Sequence, residues 1–164
     1  MILGMSPLLF VHVVISLIGI ATGLVVLYGL IAGKPHGGWT AAFLATTILT
    51  SVTGFPLPAT QVLPSHIVGI ISIVLLTVAV VALYVYHLAG AWRWIYVASA
   101  VTALYLNVFV GVVQSFQKLA FLKPLAPTQS EAPFLVAQVF VLGLFIVLGI
   151  VAAKKFHPAA RLRT

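Results

Sequence analysis

Residues 65–88 read SHIVGIISIVLLTVAVVALYVYHL, 24 positions without a lysine, arginine, aspartate or glutamate. A helix needs roughly 20 mainly apolar residues to cross a hydrocarbon layer of about 30 Å. The run is continuous and lacks the two-residue alternation of a barrel strand, so it predicts a membrane-crossing α-helix. Four other stretches repeat the pattern: about Pro7 to Ala32, about Thr40 to Pro56, Trp92 to Leu119 and Pro133 to Ala153. Breakers divide them at Lys34-Pro35-His36-Gly37-Gly38, Phe55-Pro56-Leu57-Pro58, Pro64-Ser65 and Lys123-Pro124 with Ala126-Pro127. Ser65 is the expected N-cap of the third helix, and Thr128 or Ser130 that of the fifth. The expected fold is an all-α, polytopic bundle of about five helices, one membrane domain over residues 1–164 with a basic tail from 154 to 164. The second span is the weakest and short enough to be re-entrant.

The whole composition agrees. Of 164 residues, 63% are hydrophobic and 5% charged, against about 25% charged in soluble domains, so the chain could not cover itself in water. Disorder, coiled coil and collagen are excluded by the same figures. Without cysteine there is no disulfide framework, thiolate nucleophile or cysteine-based metal site. A single acidic residue excludes a carboxylate pair and any Ser-His-Asp arrangement, and no phosphate-binding glycine loop occurs.

Charge placement predicts orientation. With five crossings, one side holds Lys34, Arg93, Lys154, Lys155, Arg161 and Arg163, and the other Lys118, Lys123 and Glu131. That bias puts the C-terminus in the cytoplasm and the N-terminus outside. The net charge of +7 then reads as topology and anionic-lipid contact, not as nucleic-acid binding. The first span lacks a basic leader and is too long for a signal-peptide core, so it is expected to remain as a helix. Trp39, Trp92, Trp94 and Tyr96 fall where an interfacial aromatic belt on the cytoplasmic side would lie.

Polar groups inside a membrane are costly, and here they gather toward the outer half. His12 is followed by Ser16, Gly19 and Gly23 on one face; Thr46, Thr50 and Thr53 share a face of the second helix; His66 opens the third. Asn107, Gly111, Gln114 and Lys118 recur at i, i+4, i+7 and i+11, and the fifth helix brings Glu131 and Gln138. A pocket lined by His12, His66, Asn107, Gln114, Lys118, Glu131 and Gln138 is the expectation. Each part also has a plain structural account. Gly19 and Gly23 suit helix packing, threonines bond back to their own helix, Lys118 can pair with Glu131, and Gln138 and Asn107 can bond between helices.

Such a pocket suits a small apolar or redox-active ligand. An apolar slot with a few hydrogen-bonding groups describes a quinone site. Two imidazoles, His12 and His66, could alternatively ligate a b-type haem or copper. A second tier, His36 and His87, would lie at the cytoplasmic side, His66 and His87 sharing one helix face about 31 Å apart. Two tiers of histidine weakly resemble the di-haem cytochrome b561 class, although His36 sits in a Pro/Gly loop rather than in a span.

Residues 90–96 (GAWRWIY), 103–109 (ALYLNVF), 125–131 (LAPTQSE) and then Pro133-Phe134 resemble segments of an uncharacterised family of small proteobacterial inner-membrane proteins. The resemblance runs from about Thr50 onward and implies a bacterial inner membrane; that family has no assigned activity to carry over. Two other classes of function stay open. A small-molecule transporter or channel would use the Thr53-Gly54-Phe55-Pro56 break at membrane depth. A non-catalytic accessory subunit would pack, as a homo-oligomer or within a larger membrane complex, through an apolar face.

Overall fold

Ser6 accepts a hydrogen bond from the Leu9 backbone N–H (3.3 Å) and Pro7 fills the first helical position, which starts α1, Pro7–Ile31. The structure is a computed structural model and describes residues 6–34, 37–56 and 64–158. Gly33, at φ 67°, turns the chain after α1. The next helix, α2, spans Gly37–Gly54 and so begins three residues before the predicted Thr40. Gly37 and Gly38 are helical because first-turn N–H groups need no intrahelical partner, so glycine costs little there.

Helix α3, Pro64–Val80, runs into a five-residue π-helical turn, Val81–Val85, in which the Tyr86 N–H reaches back to the Val81 carbonyl (3.1 Å). His87 (φ 49°) and Leu88 (φ 59°) then adopt left-handed backbone, so the helix stops short of the predicted Leu88. Ser65 lies inside α3, one residue after Pro64, and not at its N-cap. The Tyr86 ring stacks on Trp92 (3.9 Å between centroids, 3° between planes) where α4, Trp92–Lys118, begins. A short 3-10 turn at Lys123–Leu125 leads to α5, Ala132–Lys155, whose N-cap position is Glu131 rather than Thr128 or Ser130. Lys154 and Lys155 belong to the last turn of α5, so the tail predicted from 154 is helical at its start. His36, Leu57, Pro58, Arg161 and Arg163 lie outside the described residues.

Four of these helices are long and apolar enough to cross a membrane: α1, α3 with its π turn, α4 and α5. The exception is α2, which carries five threonines and a serine in 18 residues. Even so, α2 lies antiparallel along most of α1, since Thr53 meets His12, Thr47 meets Gly19 and Phe43 meets Gly23. Gly23 is where the bundle closes. A Cβ there would sit 2.5 Å from Leu104 and 2.9 Å from Phe43, so only glycine admits both side chains.

Around Gly23 the interior is filled by Leu30, Phe43, Tyr96, Leu104 and Phe156, none more than 2% exposed. Tyr96, predicted for the interfacial belt, is thus a core residue; its ring tilts against Phe156 and its hydroxyl is bonded to the Thr40 side chain. Trp39 and Trp94 are exposed as the belt requires, with the Arg93 guanidinium 4.6 Å over the Trp94 ring. The helix directions gather Lys34, Arg93, Lys154 and Lys155 at this end, and Lys118, Lys123 and Glu131 at the other.

Candidate functional site

At the end of the bundle where α1 and α3 begin, the packing opens into a cavity of about 570 Å³ between α1, α2, α3 and α4. Small residues make the room: Ser16 on α1, Ser51 and Gly54 on α2, Gly69 and Ser72 on α3, and Gly111 and Ser115 on α4. Aliphatic side chains such as Val13, Leu17, Ile20, Leu106 and Val110 supply most of the remaining wall. Exposed Ser6, Phe55, Lys118 and Leu119 stand at one end of the cavity, and fully buried Thr47 at the other. From Ser6 to Ile20 the wall covers roughly 20 Å of helix axis. Volume and polarity match those of small-molecule sites, about 300–1,000 Å³ and mainly apolar with a few placed polar groups.

Five of the seven residues expected from the sequence line this one cavity: His12, His66, Asn107, Gln114 and Lys118. His12 is anchored. Its Nδ1 lies 2.9 Å from the Thr53 hydroxyl oxygen, and that hydroxyl donates its own proton to the Leu49 carbonyl (2.7 Å). Thr53 Oγ1 is therefore the acceptor toward His12, which fixes the neutral ring as the Nδ1–H tautomer and leaves a lone pair on Nε2. His66 is half-buried on α3, its ring 6.0 Å from that of Phe55.

Glu131 and Gln138 do not line the cavity. The Glu131 carboxylate closes the loop before α5, accepting from the Thr128 hydroxyl (2.8 Å) and the backbone N–H groups of Thr128 and Ser130 (3.1 Å each) rather than pairing with Lys118. Burial alone would raise its pKa, but the Thr128 hydroxyl and the backbone N–H groups outweigh this and hold it below the usual carboxylate range. Gln138 is buried against α4 from outside the cavity and donates to the Phe109 carbonyl (3.3 Å), an interhelical packing bond. Both miss because α5 packs on the far side of α4 and α1 and contributes no wall. His87, offered as part of a second histidine tier, is an exposed turn residue past the end of the helix.

The sequence also assigned the wrong threonine face. Thr46, Thr50 and Thr53 donate to carbonyls of their own helix at 2.7 to 2.9 Å, the back-bonding that threonine offers any helix. The face of α2 that builds the cavity is Thr47, Ser51 and Gly54, with Thr50 at its edge. Its signal was present as small residues at i, i+4 and i+7, continued by Gly69 with Ser72 and by Gly111 with Ser115.

Among the described residues no group of three or more His, Asp or Glu is placed to hold a metal ion. The donor set therefore does not fit a three-ligand copper centre. His12 and His66 line one cavity, and the Nδ1 of His12 is already held by the Thr53 hydroxyl oxygen. Comparison of the chain with protein-family models, curated proteins and solved structures finds no match.

Proposed function

We propose that this protein is an integral protein of a bacterial inner membrane that binds a small, flat, apolar ligand of the quinone class in the cavity between α1 and α4. The carrying observation is the convergence of His12, His66, Asn107, Gln114 and Lys118, from three helices, on one mainly apolar cavity of about 570 Å³. His12 Nε2 offers an acceptor to a ligand hydroxyl and Lys118 a donor to a ligand oxygen, so both states of a carbonyl–hydroxyl pair find a partner. Five crossings with the N-terminus outside fit the collection of Lys34, Arg93, Lys154 and Lys155 at the end opposite the cavity. The resemblance from about Thr50 onward to proteobacterial inner-membrane proteins supports the compartment.

One observation favours a second reading, a b-type haem. The Thr53-anchored ring of His12 is held as axial histidines are, by a fixed acceptor on the other nitrogen. His12 and His66 would hold the iron, and the haem would supply one-electron chemistry. In either case Thr53 orients His12, and the aliphatic wall keeps water from the ligand.

The test is extraction of the protein purified in mild detergent from its own membranes, with mass spectrometry of the extract and an absorption spectrum, oxidised then reduced. The expected result is a quinone at near-stoichiometric level, diminished in His12→Ala, from a colourless preparation. A Soret band that His12→Ala abolishes would replace the quinone by haem. An empty extract, a featureless spectrum and no thermal shift with added quinone would end both readings in favour of a transporter or an accessory subunit.

A further inference from the structure

We infer that the ligand enters head first, and that its innermost atom is a neutral carbonyl oxygen received by the Thr47 hydroxyl and the Asn107 amide. This rests on the cavity being a quinone-class site, and it goes further by naming the group recognised and its direction of entry.

Thr47 is 2% exposed and its hydroxyl has no hydrogen-bond partner among the described residues. Ser72 Oγ also makes no hydrogen bond among the described residues, but of the hydroxyl oxygens around the cavity only that of Thr47 is fully buried without a partner. Ser16, Thr46, Thr50, Ser51 and Ser115 all donate to the carbonyl four residues back at 2.7 to 3.0 Å. The proton of Thr47 is not spent in this way. Asn107 Nδ2, reaching in from α4, is also buried without a partner. The two meet over Gly19, where a Cβ would lie 3.1 Å from Asn107 Nδ2 and 3.2 Å from Thr47 Oγ1. Bare Gly19 therefore leaves a small gap rimmed by these two unused donors and by Thr46 Oγ1, 3.4 Å from the same point, whose own proton goes to the Ala42 carbonyl.

Donors without acceptors select an acceptor. Gly19 is the central residue of the 25-residue α1, which puts it close to the middle of a layer about 30 Å thick. At that depth a carboxylate is strongly disfavoured, which leaves an uncharged oxygen. A phospholipid reaching this point would present acyl methylenes, and a haem edge presents carbon or carboxylate. A quinone ring with its tail toward the mouth presents a carbonyl, while its opposite oxygen lies toward His12 and Lys118.

The experiment measures binding of ubiquinone-1, a short-chain quinone, to the detergent-solubilised full chain, together with the infrared carbonyl band of the probe carrying ¹³C at its ring carbonyls. Wild type should show the band of the innermost carbonyl lowered by hydrogen bonding, whatever Lys118 does to the other. Thr47→Val and Asn107→Leu should each weaken binding about tenfold, as loss of one buried hydrogen bond does, and return that band toward its free position. Thr47→Ser, which keeps the hydroxyl, should bind and absorb like wild type. Tight binding with two unshifted carbonyl bands in wild type overturns the inference even if the variants fail to fold. So does binding that is weakened by His12→Ala but unchanged by Thr47→Val and Asn107→Leu, with a water left at the gap. Failure of wild type to bind the probe at all would sink the quinone-class reading itself, and this inference with it.

Discussion

The two ends of the bundle are built by the same helices and are packed in opposite ways. Around Gly23 every gap is closed, with Phe43 and Leu104 pressed so near the glycine that a methyl group has no room. Around Gly111, on the cavity side, an added Cβ would meet only Ile20, at 3.5 Å. Both regions are rich in small residues. At one end these let large side chains interlock, and at the other they line a space that no side chain of the described residues fills. Within a membrane the lipid tails are as apolar as leucine, so no hydrophobic drive squeezes such a space shut. Small residues alone thus do not say whether a helix contact is closed or open; what faces them across the contact decides.

The largest expected effect lies in the closed end. Phe43→Ala, at a side chain only 1% exposed, should cost about 3–5 kcal/mol, read as a lowered unfolding temperature in detergent. Leu106→Ala, in the cavity wall, should cost far less, because its side chain already borders empty space. Equal losses at the two positions would mean that the open end is packed as tightly as the closed one.

Glycine substitutions sharpen the contrast by differing in sign. Gly23→Ala should destabilise by about 1–3 kcal/mol, since Leu104 and Phe43 must both move. Gly111→Ala should stabilise α4 by roughly 0.5–1 kcal/mol, the ordinary gain of alanine over glycine within a helix, because nothing opposes the methyl group. Thermal unfolding of the pair under one detergent condition checks both, and a loss at Gly111 would show that the cavity end has closed in solution.

The helices themselves were legible because long apolar runs have few alternatives, and the starts and ends of α1, α4 and α5 fall within about two residues of where the runs stop. The end of α3 was not legible. Val81–Val85 is as apolar as what precedes it, and only the backbone shows the widening to a π turn before left-handed His87. The cavity was legible on α1 and α4, where polar residues recur along one face at helical spacing. It was misread on α2, where two hydroxyl faces compete and hydrogen-bonding capacity does not tell which is spent on its own helix. It was misread again on α5, because a polar residue at the right depth carries no mark of which neighbour it faces. Gln138 turned to the Phe109 carbonyl, a choice that depends on how α5 rotates against α4.

Glu131 marks the boundary of the comparison, since it lies at the cavity end of the bundle but belongs to a loop. Its carboxylate satisfies three donors ahead of α5, and its pKa is accordingly held below the ordinary 4.5. A carboxyl lowered on folding stabilises the folded chain fully above its unfolded pKa, and that contribution fades as pH falls through the folded value. Glu131→Gln should therefore lower the unfolding temperature slightly at pH 7, with the difference from wild type shrinking as pH falls below the ordinary carboxylate range, while leaving ligand binding unchanged at neutral pH. The effect is the smallest of the set because the carboxylate is close to solvent, where hydrogen bonds to water replace those that are lost. A Glu131→Gln variant that instead lost ligand at pH 7 would place the only acid of the chain at the cavity mouth, and the separation drawn between loop and site would be wrong.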